Sequence, residues 1–246
     1  MLTALLSDVH SNLAALEACL QHARAHRAER FVFLGDLVGY GPDPAAVVDL
    51  IAGLDGAVVL KGNHDEAIEI EPKSRDINDV AYDVIAWSRG VLSAAHRRFL
   101  AALPLIVRED DVCYVHSSAS RPGRWEYVVD GATAHRSMQA AGTSYVFSGH
   151  VHDQVLYYQT PAGKTASFGP GPGRRVPVPK RRGWLGIVGS VGQPRDGNPA
   201  AAYALFDPPA ETITFFRIPY DHLTTARRIR AARLPEVLAE RIVHGG

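Results

Sequence analysis

Through the first hundred residues, short apolar runs alternate with stretches in which apolar residues recur every three or four positions. LTALL (Leu2 to Leu6), FVFL (Phe31 to Leu34) and AVVL (Ala57 to Leu60) read as strands. Between the first two, Leu13, Leu16, Leu20 and Ala23 share one helix face, and Asn12 stands where it can cap that helix. A second helix is predicted from about Pro44 to Leu54, which gives a β-α-β-α-β unit with parallel strands. From about Asp79 to Leu103 the spacing predicts two helices, broken near Gly90 to Ser93 and stopped by Pro104.

The second half is richer in strands. Runs at Leu105 to Val107, Val112 to Val115, Tyr145 to Phe147, Val155 to Tyr158, Trp184 to Val188, Tyr203 to Phe206 and Thr212 to Arg217 are interrupted by one helix at about Gly131 to Ala141. The Gly- and Pro-rich stretch 161–183 is expected to be a mobile hairpin or loop. The tail is helical in period from Asp221 to Pro235 and resumes through Val237, Leu238 and Ile242, a C-terminal helical cap at about 221–243. Neither an internal repeat nor a domain linker is visible, so 1–246 is expected to be one domain.

Charge narrows the function classes. Lys plus Arg and Asp plus Glu are 26 each, which argues against a nucleic-acid coat protein, and no stable nucleic-acid complex is expected. The one charged bias lies between Asp153 and Asp196, which holds seven basic residues and no acidic one. Cys19 and Cys113 have no paired spacing, so neither a disulfide framework nor a thiolate zinc site is indicated. No apolar run approaches the roughly 20 residues that span a bilayer, and MLTALLSDVH lacks a basic leader. A cytoplasmic protein without membrane contact is expected, and homo-oligomerisation stays open.

Five polar clusters stand where an apolar run has just ended: Asp8 with His10, Asp36, Asn63 with His64 and Asp65, His116, and His150 with His152. At the carboxyl ends of strands in an α/β sheet such clusters can meet at one site. Carboxylate, imidazole and amide without thiolate suit Mn, Fe, Zn or Ni better than Ca. Seven candidate ligands exceed what one ion takes and suit two ions sharing a carboxylate.

In this order the clusters form the pattern D-x-H, GD, GNHD, H, GHxH, and the chain resembles the calcineurin-like metallophosphoesterases from Asp8 to His152. The likeness extends to a bacterial branch of small phosphodiesterases and phosphatases, some related to diadenosine polyphosphate hydrolases, through GDLVGYGPDP (Gly35 to Pro44), WEYV (Trp125 to Val128) and GSVGQPRDGNP (Gly189 to Pro199). The resemblance implies an α/β fold of four layers, αββα, with two packed mixed sheets between helices. It implies two divalent transition-metal ions, Mn foremost with Fe, Ni or Zn as alternatives. One would be held by Asp8, His10, Asp36 and His152, the other by Asp36, Asn63, His116 and His150. It further implies a bridging hydroxide as nucleophile and His64 as proton donor, acting on a small phosphodiester or nucleotide. A phosphomonoesterase or protein phosphatase is the alternative, and a DNA nuclease or non-catalytic scaffold lies further off. GDLVGYG has Gly39 and Tyr40 where protein Ser/Thr phosphatases carry Asp and Arg in GDxVDRG, which weakens the protein-phosphatase reading. Ser11 and Ile187 also depart from the branch, which commonly carries Gly and Asn there. For the missing cation, Arg195, Arg121 and Arg124 compete as phosphate-binding candidates. Tyr40, Trp125 and Tyr127 can stack a nucleobase or anchor their loops.

Overall fold

Alternation along the strands decides the layers. In the computed structural model, which describes residues 1–70 and 79–246, β1 (Thr3–Leu6) turns Leu5 to one side and Ala4 and Leu6 to the other. Leu5 joins Val32, Leu34, Tyr145, Phe147, Trp184, Val188, Ala204 and Phe206 in a core between two sheets. Ala4 and Leu6 pack instead against Leu16 and Leu20 of α1 (Leu13–Ala25) and Val47, Val48 and Ile51 of α2 (Pro44–Ala52). Asn12 caps α1, its side chain accepting from the Ala15 amide at 3.2 Å.

The first sheet runs β3 (Val58–Val59), β2 (Arg30–Phe33), β1, β11 (Ala201–Asp207), β12 (Thr212–Ile218), β9 (Arg175–Pro177). Its first three strands are parallel and the others antiparallel. The second runs β4 (Ile106–Glu109), β5 (Val112–Val115), β6 (Tyr145–Ser148), β10 (Trp184–Val188), β7 (Gln154–Gln159), β8 (Thr165–Phe168). There β5, β6 and β10 are parallel. The outer face of this sheet, with Val146, Leu185 and Ile187, is covered by Ala134 and Met138 of α6 (Gly131–Ala141). Two mixed sheets between helical layers make the α/β four-layer arrangement.

Three elements differ from the sequence expectation. A helix, α3 (Asn63–Glu69), starts directly at the Gly-Asn-His-Asp cluster, where the sequence pattern predicted no helix. The 161–183 stretch contains β8, which closes a hairpin on β7, and β9, which crosses to the edge of the other sheet. Strand β3 shrinks to two residues, because only Val58 and Val59 find partners on β2. The break between α4 (Asp79–Val91) and α5 (Ala94–Ala102) falls where expected, with the Ser93 side chain accepting from the His96 amide. The tail forms α7 (His222–Ala231) and α8 (Glu236–His244). Their apolar faces pack with Ala81 and Val84 of α4 around the ring of Tyr40.

The inter-sheet core sets the spacing of the strand ends that carry the polar clusters. Phe206 is fully buried there, its ring 4.8 Å from those of both Tyr145 and Phe147. Phe206→Ala is expected to lower unfolding stability by about 3–5 kcal/mol, read from the denaturant midpoint at constant slope. A loss well under about 1 kcal/mol would show that the two sheets close over the cavity.

Candidate metal centre

The candidate ligands sit beyond strand ends, and five of them take backbone that extended strands cannot supply. Asp8 and His10 follow β1, Asp36 follows β2, Asn63 and His64 open α3 beyond β3, His116 follows β5, and His150 and His152 follow β6. Asp8, His10, Asp36, His150 and His152 all have positive φ, between 47° and 75°. For non-glycine residues this left-handed conformation is costly and persists only where the surroundings impose it. Main-chain hydrogen bonds between loops impose it here. The Asp8 amide donates to Gly35 O at 3.0 Å, the His10 amide to Asp36 O at 2.9 Å, and the Gly192 amide to Asp8 O at 2.9 Å.

Their side chains converge. Asp8, His10 and His152 form one group, Asp36, His116 and His150 another, and His10, Asp36 and His64 a third; within each, one donor atom per residue lies within 4.8 Å of the others. Asn63 joins the second group, its Oδ1 lying 3.2 Å from His116 Nε2. Asp36 belongs to two groups and His10 to two, with Asp36 Oδ2 at 3.7 Å from His10 Nε2 and 3.4 Å from His116 Nε2. Close approach of the loops leaves no room for side chains at two glycines. A Cβ on Gly62 would stand 2.1 Å from Asp36 Oδ1, and one on Gly149 would stand 2.4 Å from Asp8 Oδ2.

The tautomers follow from the second ring nitrogens. His10 Nδ1 faces Val38 O at 3.2 Å, His116 Nδ1 faces Leu34 O at 2.8 Å, and His152 Nδ1 faces Gln193 O at 2.5 Å. A carbonyl only accepts, so each Nδ1 carries a proton and each Nε2 is turned to the cluster, where it can hold a proton beside the carboxylates or give its lone pair to a cation. His10 Nε2 and His152 Nε2 then lie 3.1 Å apart. Two such lone pairs repel unless a proton or a cation lies by them. Asp8 Oδ1, buried and without a hydrogen-bond donor among the described residues, is 3.3 Å from the same His152 nitrogen. Inward-turned imidazole nitrogens, an orphaned carboxylate oxygen and an amide oxygen therefore fit a cationic guest.

Electrostatics agree. Burial alone would raise the Asp8 carboxyl, yet His152 and then His116 hold it below the usual carboxylate range. Asp36 likewise resists burial, because His116 and His64 keep it ionised. Burial opposes protonation of His116, but the Asp36 carboxylate beside it lifts its pKa to about 9. Burial and the neighbouring His116 push His150 down to about 4. Paired carboxylates among buried imidazoles thus demand positive charge at this point.

The other candidates separate into two sets. His64 is buried, its amide donates to Asp36 Oδ1 at 2.9 Å, and its Nδ1 has no hydrogen-bond partner among the described residues. Tyr40 stacks edge-on against His64 at 4.5 Å between centroids, and the Arg195 guanidinium lies 5.9 Å from the Tyr40 ring centre. Arg121 and Arg124 are exposed around the 3-10 turn Pro122–Arg124, and no described polar contact ties their side chains to the cluster. That turn delivers Trp125, whose carbonyl accepts from His150 Nε2 at 3.0 Å and whose indole donates to Glu66 at 3.0 Å. Tyr127 stacks flat on His150 at 3.9 Å and is half exposed.

Two contributors lie outside the metal ligands, proton donor and substrate-binding candidates named from the sequence. Asp65 accepts from the Leu37, Val38 and Gly62 amides at 2.9, 3.2 and 2.9 Å, tying the Asp36 loop to the start of α3. Burial and then Asp36 push its pKa up to about 7. Its place in GNHD was the available hint. Gln193 supplies the carbonyl for His152, while its own buried Nε2 lacks a partner among the described residues. A main-chain acceptor leaves no trace in residue type.

Comparison with known proteins places this geometry. Residues 1–210 match the model of the calcineurin-like phosphoesterase superfamily domain. A crystal structure of a metallophosphoesterase from Sphaerobacter thermophilus is 35% identical, covers 100% of this chain and 99% of its own, and superposes with a TM-score of 0.89. A hypothetical protein from Pyrococcus horikoshii OT3 shares the fold at 20% identity, with coverage of 100% and 98% and a TM-score of 0.81. An uncharacterized protein of Methanocaldococcus jannaschii is 31% identical over 98% of this chain and 97% of its own. With the strand-end carboxylates and imidazoles gathered on two packed sheets, and with the family match spanning 1–210, the chain belongs to the calcineurin-like phosphoesterase superfamily.

Proposed function

We propose that the protein is a phosphoesterase that uses two divalent transition-metal ions to hydrolyse small phosphodiesters or nucleotides. The observation that carries this reading is the sharing of Asp36 between groups of imidazoles whose Nε2 atoms are turned inward by carbonyls at Nδ1. Asp8, His10, Asp36 and His152 would hold one ion, and Asp36, Asn63, His116 and His150 the other, with Asp36 between them. Carboxylate, imidazole and amide without thiolate suit Mn, Fe, Ni or Zn, and the family resemblance puts Mn first. When bound, such ions supply Lewis acidity that stabilises charge developing on phosphoryl oxygens and makes water a stronger acid.

The chain's own groups supply the rest. His64 stands against the cluster, its buried Nδ1 without a partner among the described residues, and its ring donates a proton to the leaving oxygen. Burial lowers its pKa and Asp36 pulls the other way; a phosphate anion alongside adds to the pull of Asp36, so the imidazolium forms when substrate is present. Arg195, placed over Tyr40, grips a phosphate oxygen with its guanidinium fork. Gln193 Nε2 is a second donor, with no acceptor among the described residues. One arginine beside Tyr40 and Tyr127 suits a singly charged diester with an aromatic substituent better than a doubly charged monoester. A cytoplasmic setting is part of the reading: Cys19 and Cys113 are free and buried, and among the described residues no helix is long and apolar enough to cross a membrane.

Metal-stripped protein reloaded with Mn, Fe(II), Ni, Zn or Mg and assayed on a bis-aryl phosphodiester, an aryl phosphomonoester and a dinucleoside polyphosphate is expected to recover diester or dinucleotide turnover first. Monoester preference would reverse the substrate assignment, and failure to bind metal would overturn the function. Asp36→Asn is expected to lower occupancy of both ions together; unchanged metal stoichiometry rules out the shared carboxylate. His64→Ala should retain metal and lose about 10²–10⁴-fold in turnover on esters with poor leaving groups, but far less on an activated aryl ester. Equal losses on both substrates would remove the proton-donor role.

A further inference from the structure

Arg195 is exposed at the rim, yet the turn that carries it is fastened at two points that lie far from it in sequence. From β12, Arg217 reaches under the turn with a side chain only 7% exposed. Its Nη1 donates to Asp196 Oδ2 at 2.7 Å, and its Nη2 donates to Asp196 Oδ1 at 3.0 Å and to Asn198 O at 2.5 Å. From the end of α8, Gly245 O accepts from the Gly197 amide at 2.8 Å. Gly245 has φ +77°, and a Cβ there would stand 2.5 Å from the Asn198 nitrogen, so the contact requires glycine on both counts. The guanidinium of Arg195 donates from Nη2 to Gln193 Oε1 at 3.4 Å, and its aromatic neighbour is fixed: Tyr40 is packed into the apolar cluster of Ile229, Leu238, Ala239 and Ile242 from α7 and α8. Asn12 extends the tie, donating to Gly192 O and to the Tyr220 hydroxyl at 2.9 Å each.

We propose that Arg217 and Gly245 are positioning residues for Arg195: they clamp the 195–198 turn so that the guanidinium stays over Tyr40, and the clamp sets affinity for the substrate phosphate. This rests on the assignment of Arg195 as the phosphate-binding cation. The α7–α8 hairpin lies beyond the residues 1–210 that match the superfamily domain. It shapes the substrate side of the site through Tyr40 and the 195–198 turn, and none of the candidate metal ligands lies on it. A turn held by one fork and one amide is easily loosened, because lysine cannot reproduce the three-bond geometry of a guanidinium.

The test uses full-length, metal-loaded protein and inorganic phosphate as the probe, titrated calorimetrically, with hydrogen exchange of the 189–198 segment measured in parallel. Arg195→Ala is expected to weaken phosphate about tenfold or more. Arg217→Lys and Gly245→Ala are each expected to weaken it about threefold to tenfold, to raise KM rather than lower kcat on a bis-aryl diester, and to leave metal stoichiometry unchanged. In an Arg195→Ala background neither should cost anything further, and both should speed exchange in 189–198. Losses that persist undiminished without Arg195, or exchange that stays as in the parent protein, would overturn the clamp. If Arg195→Ala leaves phosphate affinity unchanged, the role assigned to Arg195 falls, and the positioning role with it. The exchange data then show separately whether the turn is held.

Discussion

The carboxylate of Asp36 is the point on which the two halves of the molecule close. Its Oδ1 takes the His64 amide, its Oδ2 faces His10 and His116, and its main-chain oxygen takes the His10 amide. Those contacts come from the loops after β1 and β5 and from the start of α3, so one residue ties together loops from both sheets. A buried carboxylate is tolerated only when positive charge or several donors surround it. Here imidazoles and an amide do so, and they draw Asp36 below the ordinary carboxylate range despite its burial. The same demand for positive charge is what makes the cluster a seat for cations.

Around that point the rigid and the strained parts of the structure divide the work. Aromatic and aliphatic side chains between the sheets set where the strands end. The loops beyond take left-handed backbone at Asp8, His10, Asp36, His150 and His152, each costing of the order of 1 kcal/mol or more. Interloop amide bonds, Asp65 and close contacts at Gly62 and Gly149 hold them there. Because the carbonyls of Leu34, Val38 and Gln193 orient three imidazoles, the donor atoms are arranged before any guest arrives. The substrate side is built differently, from a loop resting on Tyr40 and on the C-terminal helices.

Strand runs, helix faces and the clusters at the ends of apolar runs were all legible in the chain, because period and residue type are local properties. So was the resemblance carried by GNHD and GHxH, since those spacings bring chemically committed residues together. The departures are non-local. Val176 pairs with Ile213 and Phe168 with Leu156, so the Gly- and Pro-rich 161–183 stretch contains strands whose partners no local pattern names. Helix α3 begins at a Gly-Asn-His-Asp sequence that also reads as a turn, and the Asp65 contacts with three amides decide the matter.

The choice among the three arginines shows where sequence stops. Arg121, Arg124 and Arg195 are equivalent as residue types and all lie near motif loops, yet the fold brings only the guanidinium of Arg195 over Tyr40 among them. The sequence by itself determined the kinds of chemistry available, carboxylate, imidazole, amide and guanidinium, and the order in which strands would deliver them. Tertiary structure alone decided which nitrogen of each histidine faces inward, which oxygen is shared and which cation stands at the rim. Those choices rest on main-chain carbonyls and on sheet register, which are fixed by the whole packed core and carried by no single residue's identity.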